Sequence, residues 1–175
     1  MDWIVIALLV ALLAYAIFIY NQLVRDRQLT RAGWSDIGVQ LKRRHDLIPK
    51  LVEAVKQYAD FEQATLSRVT ELRTQAGHLD SANRQATVEN NISRSLGSLL
   101  ALQEAYPDLK ANQSFLALQS DISAVEADIQ FARRYYNGAV RNLNTRVESF
   151  PDLLLARLFG FEAAEYFEFE ESEIR

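Results

Sequence analysis

Residues 40–58, QLKRRHDLIPKLVEAVKQY, decide how many rods this chain folds into. They contain Pro49, and a proline inside a helix removes a backbone hydrogen bond and crowds the turn before it. Lys42, Arg43 and Arg44 precede it, where a helix carboxyl end favours cations. Asp46 has the chemistry of an amino-cap, and proline is tolerated in a first turn because those amides lack intrahelical partners. The reading is therefore a turn at 42–50. One helix ends there and a second begins at Asp46.

Upstream, residues 3–20, WIVIALLVALLAYAIFIY, carry no charge. As a helix they span roughly 27 Å, near the thickness of a bilayer's hydrocarbon core. In lipid the backbone must bond to itself, which requires a helix. A cleaved signal peptide would need a basic start, and only Met1-Asp2 precedes the run. Residues 1–20 are thus read as a retained transmembrane anchor, with Trp3, Tyr20, Arg25 and Arg27 at its interfaces. Arg25, Arg27 and Arg31 follow the run with no Lys or Arg before it, so the domain beyond is expected in the cytoplasm and the amino end outside. Leu23, Thr30, Trp34, Ile37 and Leu41 continue the helix past the membrane at three- and four-residue steps.

Downstream, helix punctuation is sparse: three prolines and six glycines in 175 residues, and no alternating strand pattern. Leu51, Val55, Tyr58, Thr65, Val69, Leu72 and Ala76 mark a second helix ended by Gly77. Asp80 or Ser81 caps a third, which carries Ala82, Ala86, Ile92, Leu96 and Leu99 towards Pro107. Phe115, Leu118, Ile122, Val125, Ile129, Ala132, Tyr136, Ala139 and Leu143 then step by threes and fours, the seam of a long helix packed at a shallow angle. The expected fold class is all-α: a single N-terminal transmembrane helix continuing into an antiparallel long-helix bundle of about four helices. Its parts are an anchor (1–20), a bundle (21–150) and an acidic, aromatic closing segment (151–175).

Such helices run out, back, out and back. The 42–50 and 104–113 turns then meet at a distal tip, roughly 36 Å from Tyr20. A fourth helix from Gln113 to Phe150 would be about 20 Å too long for that rod, which asks for helix tilt or else a bend near Asn137-Gly138. The closing segment is expected to fold back over the bundle, since its glutamates repel anionic lipid.

Several stretches resemble the LemA family: Tyr20-Asn21-Gln22-Leu23-Val24, then 40–58, EAYPDLKAN (104–112), ARRYYNGAV (132–140), and the FP and FGF pairs at 150–151 and 159–161. The resemblance covers nearly the whole chain. It implies a bacterial single-pass protein of the cytoplasmic membrane with a helical bundle and no established catalytic activity, one branch being associated with magnetosome membranes. Both long motifs fall on the two turns placed at the tip. Lys42, Arg43, Arg44, His45 and Asp46, facing Glu104, Tyr106, Pro107, Asp108 and Lys110, form the candidate partner-binding surface. The structural alternative is that the cations pair with Glu104 and Asp108. Exposed ion pairs are worth only about 0–1 kcal/mol each, so stability accounts for them weakly.

Chemistry is thin. No cysteine is present, which excludes disulfides and thiolate catalysis. His45 and His78 are expected at opposite ends of the bundle, and His45 with Asp46 offers too few ligands for a metal. No phosphate loop and no Glu-x-x-His pair occurs, so no catalytic, cofactor or metal residue is assigned. Glu62 and Glu126 are read as inward-facing carboxylates that Arg133 or Tyr136 could hold. The net charge of −4 comes with no basic stripe interleaved with aromatics, against nucleic-acid binding. The favoured function is a non-enzymatic scaffold or adaptor for other membrane or membrane-associated proteins. A membrane-shaping or lipid-organising protein is the alternative. Self-association is a further expectation, from Ala7 and Ala11 and from the regular seam of the fourth helix.

Overall fold

The structure, a computed structural model, describes residues 2–59, 62–76 and 82–167. Among these every regular element is helical. Helix α1 is a single rod from Asp2 to Lys56 and passes through Pro49 without a break. The turn expected at 42–50 is therefore absent, and Asp46 caps nothing. Core packing of Ile48, Leu51 and Val55 holds the rod straight, and a borrowed hydrogen bond offsets part of the cost of the proline. Pro49 has no N–H to offer the carbonyl of His45, one helical turn earlier. Arg73 on α2 (Gln63–Ala76) supplies the missing donor, its Nε giving a hydrogen bond to the His45 carbonyl at 2.9 Å.

Moving the first turn to residues 57–59 resolves the length misfit. From Tyr20 to Lys56 the rod now rises about 54 Å, and α5 (Gln113–Glu148), at 36 residues, has the same length. No bend is needed, and α5 runs unbroken through Asn137-Gly138. Ion pairs Arg43–Asp128 and Asp26–Arg146, at two levels of the seam, show that the two helices lie antiparallel. Helix α2 returns from the tip, and α3 (Ala82–Ala101) goes out again. A 3-10 turn (Leu102–Glu104) and the short α4 (Pro107–Lys110) close the distal end. Asn112 then starts α5 as its amino-cap, accepting from the Phe115 amide at 3.0 Å. The expected boundary at Gly77, the caps at Asp80 or Ser81, and His78 lie outside the described residues.

The core is stacked in three tiers. The distal tier joins Ile48, Leu51 and Val55 to Leu66, Leu72, Ile92, Leu96, Leu109 and Phe115. The middle tier holds Ile37, Leu41, Val125, Ile129, Tyr136 and Phe167. The proximal tier is Ile19, Leu23, Ala156 and Phe161, the last two from α6 (Asp152–Leu158) and from the turn after it. Trp34, expected on the buried stripe, is more than a third exposed; Gly33 occupies the buried phase instead. A Cβ there would stand 3.1 Å from the Tyr136 Cα, so glycine permits the close approach of α1 and α5.

Candidate functional site

Charged layers separate the tiers, and the larger one contains Arg44. This side chain is one per cent exposed, between Leu41 of the middle tier and Ile48 of the distal tier. Its guanidinium pairs with the Glu89 carboxylate of α3. It also donates to Glu126 of α5 at 2.6 Å and to the Ser93 hydroxyl at 2.7 Å. Gln85 donates to Glu89 at 2.6 Å, and the His45 Nε2 lies 3.1 Å from the same carboxylate. Burial alone would push Glu89 up. The hydrogen bond from His45 and the charges of Arg44 and His45 outweigh it and hold its pKa below the ordinary 4.5. Nearby Arg133 is pulled down to about 10 by burial and by Arg44, against the opposing charge of Glu126, and stays charged at neutral pH. A carboxylate held by three donors and kept ionised is a weak proton acceptor. The layer fixes three helices in register.

The expected binding surface is thus divided. Arg44 and His45 face the interior, and Arg43 bonds Gln40 and Asp128 on the α1–α5 flank. Lys42 and Asp46 are exposed beside them. Twelve residues separate Arg44 from Lys56, so this group sits roughly 18 Å below the tip. The pairing of Lys42–Arg44 with Glu104 and Asp108 does not form, because α1 overshoots the position where it would have turned. Glu126 does point inward, held by Arg44 and Ser93, while the Tyr136 hydroxyl donates to the Glu165 carbonyl. Glu62 is half-buried.

The actual tip is built from residues 57–59 and 102–112. Tyr58 and Asn112 share a 2.9 Å hydrogen bond across it, and Lys110 pairs with Glu104 at 3.3 Å. Tyr106 packs half-buried on the distal tier, Leu109 plugs the end, and Pro107 opens α4 with no amide to satisfy. Glu104, Pro107, Asp108 and Lys110 face outward. Among the described residues no three His, Asp or Glu side chains are grouped closely enough to hold a metal ion.

A third arrangement escaped the sequence reading. Asn137 and Asn144 lie two turns apart on α5 and grip the closing segment by its backbone. Asn144 exchanges a pair of hydrogen bonds with Ala164 at 2.8 and 2.9 Å, and Asn137 does so with Phe167 at 2.9 and 3.1 Å. Seven helical residues rise about 10.5 Å and three extended residues about 10 Å, so the two spacings match. Phe167 is buried beside Trp34 in the tier that holds Tyr136, under the Arg133 guanidinium. The closing segment through Phe167 therefore folds back along the bundle, as its acidity suggested.

These features define an all-α protein whose amino-terminal helix is apolar and exposed over a length that can cross a bilayer, then continues into a tiered bundle. The chain belongs to the LemA family, whose model matches residues 33–175. It is 29% identical to Protein LemA of Metamycoplasma hominis, over 89% of this chain and 75% of that protein. It is 26% identical to magnetosome protein MamQ 2 of Paramagnetospirillum magneticum, over 91% of this chain and 68% of that one. The MamQ of Magnetospirillum gryphiswaldense is 23% identical over the same shares.

Proposed function

We propose that this chain is a non-catalytic, single-pass membrane scaffold that docks protein partners through its distal tip, with the bundle on the cytoplasmic side of the bacterial inner membrane. One observation carries the reading. The matched lengths of α1 and α5 hold a mixed-charge, tyrosine-bearing cap about 54 Å beyond the apolar run, braced by charged layers that are internally paired. Relatives named as magnetosome proteins agree with a membrane setting. The docking residues are those at the true tip: Glu104, Tyr106, Pro107, Asp108 and Lys110. Lys42, Arg43 and Asp46 form a separate flank. The membrane-shaping alternative rested on a bend near Asn137-Gly138 and on the aromatic closing segment; the bend is absent, since α5 is continuous.

The test is photocrosslinking in cells, with the reactive group placed at Asp108 or, for comparison, at Lys42. A discrete adduct from Asp108 that disappears when Glu104, Pro107 and Lys110 are changed together to Ala supports tip docking. The same adduct from both positions, or none from the tip, ends it.

A further inference from the structure

The reading of residues 2–20 as a membrane anchor leaves α6 in a particular place. Arg146 ties Asp152, at its start, to Asp26 on α1, at 2.9 and 2.6 Å. Ala156 packs on Ile19 and Leu23, and the Phe159 ring meets Tyr20 edge-on, 4.9 Å between centroids. By helix rise α6 thus descends from roughly 9 Å above Tyr20 to the level of Tyr20, where the charge-free run ends. One side of this short helix packs on α1. The other is apolar and bare: Leu154 and Leu158, one turn apart, are 60% and 74% exposed, and Phe150 and Phe159, which flank the helix, are 80% and 53% exposed. No described part of the protein covers them.

We propose that α6 is an interfacial foot, its lower end (Leu158 and Phe159) seated at the headgroup–acyl boundary of the same bilayer that residues 2–20 cross, with Leu154 one turn higher facing the headgroups. The occupant is lipid because the patch is continuous with the apolar anchor at Tyr20 and lies at the depth where short apolar faces enter membranes. Arg157 on α6 and Arg25 on α1, both exposed, can extend towards phosphates. A single spanning helix leaves a rod free to spin about its axis. A foot on one side does not stop that spin; it limits how far and in which direction the rod tilts, which steadies the height of the tip.

The chain has no cysteine, so single labels report cleanly. The full-length protein carrying Leu154→Cys, Leu158→Cys, Leu9→Cys or Phe131→Cys is labelled with a nitroxide. It is then reconstituted in phosphatidylcholine vesicles with a minor share of phosphatidylglycerol. Collisions with oxygen, which concentrates in lipid, are compared with those of a water-soluble nickel complex. The foot predicts that the label at 158 favours oxygen severalfold more than the label at 131 does, with the label at 154 between them. If 9 is oxygen-favoured while 154 and 158 behave like 131, the anchor stands and the foot is overturned. If 154 and 158 are shielded from both reagents, protein covers them and the foot is likewise overturned. If 9 is itself open to nickel, the anchor fails and takes the foot with it.

Discussion

Pro49 and Arg73 should be energetically coupled, although one has no donor and the other lies on a different helix. If Arg73 stands in for the absent Pro49 amide, replacing it with Met keeps the aliphatic stem and leaves the His45 carbonyl without its partner. A lost charged hydrogen bond to a half-buried acceptor costs about 1–2 kcal/mol. For a domain of this size that is a fall in Tm of about 2–8 °C. Pro49→Ala restores the amide within the helix and removes a residue about 3 kcal/mol less favourable than Ala in helix interiors, so it should stabilise by about 1–2 kcal/mol. In the Pro49→Ala background Arg73→Met should cost less than about 0.5 kcal/mol, because the carbonyl already has a donor. The assay is a double-mutant cycle on the detergent-solubilised chain, following melting by far-ultraviolet ellipticity. Equal losses in both backgrounds would refute the account of why α1 survives its proline.

Other outcomes follow from packing and charge. Gly33→Ala should destabilise by about 1–2 kcal/mol, since its Cβ would press 3.1 Å from the Tyr136 Cα, whereas Gly38→Ala, with open space around it, should stabilise by about 0.5–1 kcal/mol; thermal melts read both. Glu89 has a folded pKa below 4.5, so its ionised form contributes in full above that pH and the contribution fades as pH falls through the folded value. Urea titrations across this range should show Glu89→Gln losing part of the acid sensitivity of the parent while being less stable at neutral pH. Asn144→Ala should leave the melting curve nearly unchanged but speed hydrogen exchange at the Ala164 amide about five- to thirtyfold, for the loss of about 1–2 kcal/mol of local protection.

Helical class, the long α5 and the out-and-back order were legible because the apolar periods are long and clean. The α1 stripe was legible too, but it was cut at Pro49. Its buried phase in fact runs Ile37, Leu41, Arg44, Ile48, Leu51 and Val55, keeping step across the proline. A new helix would have reset that phase, so the signal was present and the general rule about proline overrode it. Part of what restored the helix, Arg73, lies 24 residues further on and gives no local sign. Arg44 was read as a surface cation because its partners, Glu89 and Glu126, are on two other helices. The asparagines at 137 and 144 were invisible for the same reason: their partner is backbone, which has no sequence signature. Within the candidate surface, the 104–110 half stood at the tip as expected because Pro107 and Asn112 act locally. The 42–46 half moved because its position depended on core packing and a tertiary hydrogen bond.

The charged layers explain how such a regular seam is held at one register. A repeat of threes and fours lets two long helices slide by seven residues with little loss of apolar contact, since a core position again meets a core position. Here that slip would set Arg44 of α1 against Gln119 or Arg133 of α5 in place of Glu126. One direction would also set Asp26 against Ala139 in place of Arg146, and the other would carry it beyond the end of α5. Stranding a buried charge costs several kcal/mol, whereas a correctly paired one adds little net stability over an apolar substitute. The layers at Arg44 and at Asp26, roughly 27 Å apart along α1, therefore act mainly against misalignment. A slip of seven residues would move the cap by about 10 Å relative to the membrane. Fixing the height of the tip is what a docking rod requires of its interior, and paired charge placed at two levels of the seam performs that task where a uniform apolar core would not.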